Sequence, residues 1–270
     1  MNDAIMEGSF KIVVLMKPVP DMEKVKFNVE KGTIERESSE LVINPFDLHA
    51  LEVAAQIKEK VNGTVTTISM APPHAADALK ESIARGSDRA ILLSDRKFGG
   101  ADTLATAYAL ASAIRKLGIP DLIVAGEKSV DGDTAQVPPL VAEMLGIPHA
   151  SYVSKVIDIK EKAIEVITEQ EAPYRVELRL PALIQVTKEV AKPRVPTLKD
   201  KLKAKKYEIE VWSADKLSDV ANPDFFGLKG SPTWVSKIIV PKPKPRSKQV
   251  FNAEEGIKKI IEILSKEGVI

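Results

Sequence analysis

The chain has 270 residues with 39 Lys and Arg against 38 Asp and Glu, and a net charge of +1 supplies no overall field for DNA, RNA or an anionic membrane. It contains no cysteine, which excludes disulfides, Cys-ligated zinc, iron–sulfur clusters and a thiol nucleophile together. At 44% hydrophobic it can build one main core with an extension, yet no apolar run approaches the ~18–20 residues a membrane helix needs. His49, His74 and His149 stand far apart without metal-ligand spacing, so no metal site is expected. The N-terminal MNDAIMEGSF is acidic and polar and does not read as a signal peptide. A soluble, cytoplasmic protein is the expectation.

Lys11–Met16 is a continuous apolar run and reads as a buried parallel strand. KFNVEKGTIERES alternates around Lys-Gly and reads as an exposed hairpin. Asn44-Pro45-Phe46-Asp47 opens a helix, with Asn44 or Asp47 as cap, that Asn62-Gly63 stops. Thr64–Met70 is a β-branched strand, HAADALKESIARG a short helix ending on Gly86, and Ala90–Leu93 a strand. DTLATAYALASAIRKLG is a helix capped by Asp102 and stopped at Gly118. Asp121–Gly126 is a strand, and TAQVPPLVAEMLG a helix starting near Thr134 and ending on Gly146.

Strand and helix alternate in this way over about 135 residues, which predicts an α/β fold: a doubly wound, mainly parallel sheet with helices on both faces. After Pro148, SYVSKVIDIK, AIEVITEQ, YRVELRL and ALIQVT predict antiparallel hairpins that extend that sheet or lie against it. The α/β domain is expected to span 1–192. From 193 to 270 proline recurs, and no acidic residue occurs between Gly227 and Ala253. Pro241, Pro243 and Pro245 alternate with basic residues in an extended run that cannot build a core. An amphipathic helix, AEEGIKKIIEILSKEG, follows. This C-terminal arm carries Phe225, Phe226, Trp234, Ile238 and Ile239, too much apolar surface to float free, and either folds back or, as preferred here, wraps a partner.

Ligands of doubly wound sheets bind outside the carboxyl ends of the strands. Lys17-Pro18-Val19-Pro20-Asp21 follows the first strand, as a stiff turn or as part of a site. Asn44–Asp47 is a helix cap or a ligand contact. Met70-Ala71-Pro72-Pro73 has small residues that admit a flat ring. Gly99-Gly100-Ala101-Asp102-Thr103 opens a further helix. The richest segment is Gly126-Glu127-Lys128-Ser129-Val130-Asp131-Gly132-Asp133-Thr134-Ala135-Gln136-Val137, a strand end, a polar loop and a helix start suited to a pyrophosphate. Asp131 and Asp133 repel phosphate, so they are expected to cap the helix or hold ribose hydroxyls. The loop is neither GxGxxG nor a Walker sequence, and it lacks the ligands of an EF-hand. No nucleophile–base pair is present, so no catalytic residue is assigned.

In order, Lys17-Pro18-Val19-Pro20-Asp21, Ile43–Asp47, Ala84–Leu93, Asp131–Gln136, Pro193-Arg194 and Gly227–Thr233 resemble the motifs of electron-transfer flavoprotein β subunits, over about residues 10–240. The resemblance implies an adenine-nucleotide-hydrolase-like fold, an α-subunit partner and electron relay between flavins and a dehydrogenase or quinone-reductase partner. Members that carry AMP resemble D-D-D-x-N-Q-T-G in the loop, where this chain has Gly132, Ala135 and Val137. The DGDTAQV form, with Gly100–Thr106, looks like the branch that holds FAD instead and bifurcates electrons from NADH. By that resemblance Leu15, Asn44, Pro45, Phe46, Asp47, Met70 and Gly126–Val137 line the adenosine-diphosphate portion. Asp102, Thr103 and Thr106 lie nearer the flavin ring, and Lys17 and Pro18 border the cleft. The loop Val195–Lys206 docks a partner through Leu198, or is a solvated basic helix. A single-flavin carrier with AMP, a universal-stress-type ATP module and an ATP-pyrophosphatase-type adenylating enzyme are the rivals; the latter two lack their phosphate loops here.

Overall fold

A computed structural model describes residues 9–21, 27–28, 33–34, 41–236 and 248–270. Strands β1 (Lys11–Leu15), β2 (Pro18–Pro20), β3 (Phe27–Asn28), β4 (Thr33–Ile34) and β5 (Leu41–Ile43) come first. Next in the chain are α1 (Pro45–Val61), β6 (Thr64–Met70), α2 (Ala76–Ala84), β7 (Arg89–Leu93), α3 (Thr103–Leu117), β8 (Leu122–Gly126) and α4 (Val137–Leu145). The rest are β9 (His149–Ile159), β10 (Ala163–Glu169), β11 (Pro173–Arg179), β12 (Ala182–Val186), α5 (Leu198–Lys205), β13 (Glu210–Trp212) and α6 (Ala253–Lys266). The expected hairpin is the antiparallel pair β3–β4, and β2 pairs antiparallel with β5.

One nine-stranded sheet runs β11-β10-β9-β12-β8-β1-β6-β7-β13. From β9 to β13 every neighbouring pair is parallel, and β10 and β11 extend the sheet antiparallel. The doubly wound α/β expectation holds. The central strands are apolar throughout because both faces are covered: β8 and β12 are buried at every position. Alternation sorts their side chains. Ile12 and Val14 pack with Leu51 of α1, whereas Val13 and Leu15 pack with Ile114 of α3 and Val141 of α4.

Three features differ from the sequence reading. ALIQVT is not an antiparallel hairpin strand; β12 inserts parallel between β8 and β9, filling a gap that the β8–α4–β9 crossover leaves. Residues 193–236 do not belong with an arm, since they share one compact unit with the preceding chain up to Ser236. In that stretch β13 forms a parallel sheet edge on β7, α5 packs on α2, and Leu217 and Phe226 are buried. Burying two such side chains contributes on the order of 3–6 kcal/mol, which holds this stretch to the domain. Phe226 is buried and meets Phe98 edge-on at 5.0 Å between ring centres, whereas Phe225 meets Tyr108 at 5.3 Å yet stays 54% exposed. Ile238 and Ile239 and the alternating Pro run lie outside the described residues.

The third difference is the start of α4, which falls at Val137 rather than near Thr134. Pro138 and Pro139 set φ for a first helical turn, while Asp133 and Ala135 hold φ of 53° and 55° and cannot be helical. The other boundaries agree with their signals: Asn62 ends α1 left-handed, Asp102 caps α3, and Gly146 ends α4 left-handed. The second unit contains α6, capped by Asn252, with Ile257, Ile260, Ile261 and Leu264 along it and no buried residue. No helix among the described residues is long and apolar enough to cross a membrane.

Candidate functional site

Register places Leu15, Ile68 and Ala125 side by side, and Val186 beside Gly126, so β1, β6, β8 and β12 end on one edge. The chain leaves β1 for β6 on one side, and β8 lies on the other; this is the switch point of the sheet. Leu15 is buried beneath the edge, and Met70 is half-buried on it.

Asp47 is the joint of this edge. Its Oδ2 accepts the N–H of Lys17 at 2.7 Å and its Oδ1 the Asn44 amide at 2.9 Å. Gly126 presses on the same group: a Cβ there would lie 2.4 Å from Asp47 Oδ1 and 2.8 Å from Phe46 Cβ, so only glycine admits the head of α1 so close to β8. Burial pushes Asp47 up to about 7, against the lowering effect of the Lys17 and Asn44 donations. Asn44 is not a side-chain cap. Its amide donates to Lys128 O at 2.8 Å and its carbonyl accepts Val130 N–H at 3.2 Å, binding the polar loop to the head of α1. Asn44 and Asp47 are buried and shape the site, leaving Pro45 and Phe46 at its surface.

Neither loop aspartate caps α4. Asp131 takes Lys17 Nζ at 2.7 Å on both oxygens, and Asp133 takes Lys128 Nζ at 2.7 Å. Burial raises the Asp131 carboxyl, but Lys17 more than offsets this and holds it below the usual carboxylate range. The hydrogen bond that Lys128 donates to Asp133 holds the ammonium above its ordinary value. Each loop carboxylate therefore arrives with its own cation, which removes most of its repulsion toward an anion. Gly132 lies between them, next to Ser129.

The N–H groups of Thr134, Ala135, Gln136 and Val137 have no hydrogen-bond partner among the described residues. Pro138 and Pro139 have no N–H, so α4 adds little to this set from its own first turn. Ala135 with positive φ precedes Gln136 in the right-handed helical region, the alternation of a concave backbone anion nest. Thr103 Oγ1 donates to Gln136 Oε1 at 3.0 Å, bringing the head of α3 against the loop. Asp102 cannot offer a free carboxylate there. Its Oδ1 accepts Leu104 and Ala105 N–H, and its Oδ2 accepts the N–H and hydroxyl of Thr233 at 3.1 and 2.8 Å. Thr106 lies one turn on, half-buried, its N–H bonded to Asp102 O.

Gln185 is not a residue the sequence reading names, and Ser231 and Thr233 enter it only within the Gly227–Thr233 motif, with no role at the site. Gln185 donates to Glu127 O at 2.5 Å and Ala135 O at 3.0 Å. A lone amide inside the apolar run ALIQV was the available signal, because a buried polar group must find partners. Ser231 and Thr233 fold over Asp102 from far along the chain, a contact that the Gly227–Thr233 motif does not by itself reveal. Leu198, the first residue of α5, is exposed, as are Val195 and Leu202 near it in the chain. Among the described residues no cluster of His, Asp and Glu could hold a metal ion.

Sheet, switch point and loop together define a doubly wound α/β protein of the kind that presents its ligand surface at the strand carboxyl ends. The electron transfer flavoprotein domain matches residues 31–217. The chain is 45% identical over 228 residues to the electron transfer flavoprotein subunit beta of Clostridium acetobutylicum, covering 84% of this chain and 86% of that protein. It is 39% identical over 251 residues to protein FixA of Azorhizobium caulinodans, covering 90% and 89%. It is 40% identical over 236 residues to the caffeyl-CoA reductase-Etf complex subunit CarD of Acetobacterium woodii, covering 87% and 89%. The chain therefore belongs to the electron transfer flavoprotein family, among its β subunits.

Proposed function

We propose that this chain is the β subunit of a heterodimeric, bifurcating electron-transfer flavoprotein and holds FAD across the carboxyl edge of its sheet. The observation that carries the reading is the run of unpartnered amides at Thr134–Val137, beside loop carboxylates already neutralised by Lys17 and Lys128. That donor chemistry fits the diphosphate of a dinucleotide. The same amides suit the single phosphate of AMP; Gly132, Ala135 and Val137 in place of the Asp, Asn and Thr of the AMP-type loop favour FAD.

In this reading Asn44 and Asp47 lock the loop to α1, Lys17 and Lys128 screen its carboxylates, and the backbone of 134–137 holds phosphate oxygens. Pro45, Phe46 and Met70 bound the cleft, and Thr103 and Thr106 face the outer part of the ligand. A flavin held there would supply the redox chemistry of hydride acceptance from NADH and single-electron transfer to acceptors of high and low potential. The protein's own part is position, screening and exclusion of water. The β designation of the relatives supports an α-subunit partner, and the name of the Acetobacterium protein supports a reductase partner. The C-terminal arm with α6 wraps the α subunit, and Leu198 with its lysine rim docks the dehydrogenase. The cytoplasm is the proposed compartment.

Co-expression with the α subunit and quantitation of released nucleotide test the reading. Two FAD per heterodimer are expected; one FAD with one AMP overturns the bifurcating version.

A further inference from the structure

We propose that Gln185 is the positioning residue of the phosphate cradle: its buried amide turns the Gln136 N–H toward the ligand's phosphate. The inference rests on the reading of the loop given above and assigns a particular donor within it. Gln185 is 1% exposed and shares the α3–α4 face of the sheet with Leu183. Its Nε2 donates to Glu127 O, where the loop leaves β8, and to Ala135 O, just before α4. One side chain thus closes the two ends of the loop on each other.

The consequence for the ligand follows from peptide geometry. In a planar trans peptide the C=O and the next N–H point to opposite sides. With Ala135 O drawn inward to Gln185, the Gln136 N–H is turned outward, away from the sheet. Ala135 also holds a left-handed φ of 55°, a strain at a non-glycine residue that persists only where surroundings hold it. Remove the Gln185 donor and the Ala135–Gln136 peptide is free to flip. A flip places a carbonyl oxygen where a phosphate oxygen has to sit, and attraction becomes repulsion. Adenosine, which has no phosphate, is indifferent to that change.

The test uses the nucleotide-depleted heterodimer and two probes, ADP and adenosine, in equilibrium dialysis. Wild type is expected to bind ADP more tightly than adenosine. Gln185→Met, close in size but without a donor, should weaken ADP roughly 10- to 100-fold, the range for losing a hydrogen bond to a charged group. Adenosine affinity should stay within about twofold, which a merely structural defect would not spare. Should the Met variant fail to assemble, Gln136→Pro decides. The backbone there has φ −90° and ψ −29°, about 25° from the φ of proline, and the change deletes the N–H and the side chain while restraining Ala135 before it. Gln136→Ala controls for the side chain. Gln136→Pro is expected to lose ADP affinity, and not adenosine affinity, relative to Gln136→Ala. If wild type does not prefer ADP, the cradle reading and this inference fall together. If wild type prefers ADP but both variants bind it normally, or lose both probes alike, the role of Gln185 is refuted while the cradle stands.

Discussion

Asp47 joins the end of β1, the head of α1 and the end of β8 through a carboxyl that has lost its water. Burial raises it to about 7 from an ordinary 3.8. Between those values the folded chain keeps a proton that the unfolded chain has released, so stability falls as pH rises from about 4 to about 7 and is flat above. Unfolding free energies across that window should show a downward slope of up to about 1.4 kcal/mol per pH unit. Asp47→Asn should remove that component; an unchanged slope in the variant would disprove the assignment. Lys17 and Asp131 make a second residue-scale case. The pair is partly exposed, so Lys17→Met should cost under about 1 kcal/mol in stability. If the proposed cradle holds a phosphate, Lys17→Met should nevertheless weaken nucleotide binding severalfold, because Asp131 loses its cation beside that group. Lys17→Met combined with Asp131→Asn should recover most of that affinity in a titration, whereas equal loss in the single and double variants would show that charge is not the issue. Sequence exposed these residues but not their partners. Asn44 and the two aspartates looked like caps because their side-chain types favour that role, and pairing across the fold overrode it.

At the scale of elements, the head of α3 depends on a segment more than a hundred residues later. Thr233 caps the cap, giving Asp102 its third and fourth donors, and Leu228 N–H reaches Gly99 O at 3.0 Å. The turn that makes this possible is Gly227, with φ 56° and a would-be Cβ 2.2 Å from Lys97 O. Gly227→Ala should therefore cost about 2 kcal/mol or more, seen as a lower unfolding midpoint. Faster amide exchange at Leu104 and Ala105 should accompany it; a midpoint shift with those amides still protected would place the damage elsewhere. Helix limits were largely legible, since Asn62, Asp102, Gly118 and Gly146 signal ends by local chemistry. The start of α4 was not, because Thr134 and the aspartates resemble a cap while the prolines beyond them decide where regular φ begins. Strand β13 escaped notice for want of length: three residues show no period, and its place is set by Trp212 and the Arg89–Glu210 pair at 2.7 Å.

Across the whole molecule, alternation of strand and helix made the doubly wound class readable, but not the order of the strands. Nothing in ALIQV says that it lies parallel between β8 and β9; a fully apolar strand reports two covered faces and no neighbours. The same blindness moved the apparent end of the domain to 192, although buried side chains continue to Phe226. Residues 1–236 should fold by themselves with an unfolding midpoint within about 3 °C of the full chain, since no residue of α6 is buried. The truncated chain should lose co-purification with the α subunit. Retention of the partner would remove the proposed wrapping role of the arm.

The tail leaves the compact unit within a few residues of Thr233, whose hydroxyl rests on the Asp102 carboxylate at 2.8 Å. A pull on the tail is therefore delivered first to that bond, and through it to the helix that reaches Gln136 by way of Thr103. On the proposed reading, grip on a neighbouring subunit and grip on the cofactor would share one fulcrum, and loosening either should be felt by the other.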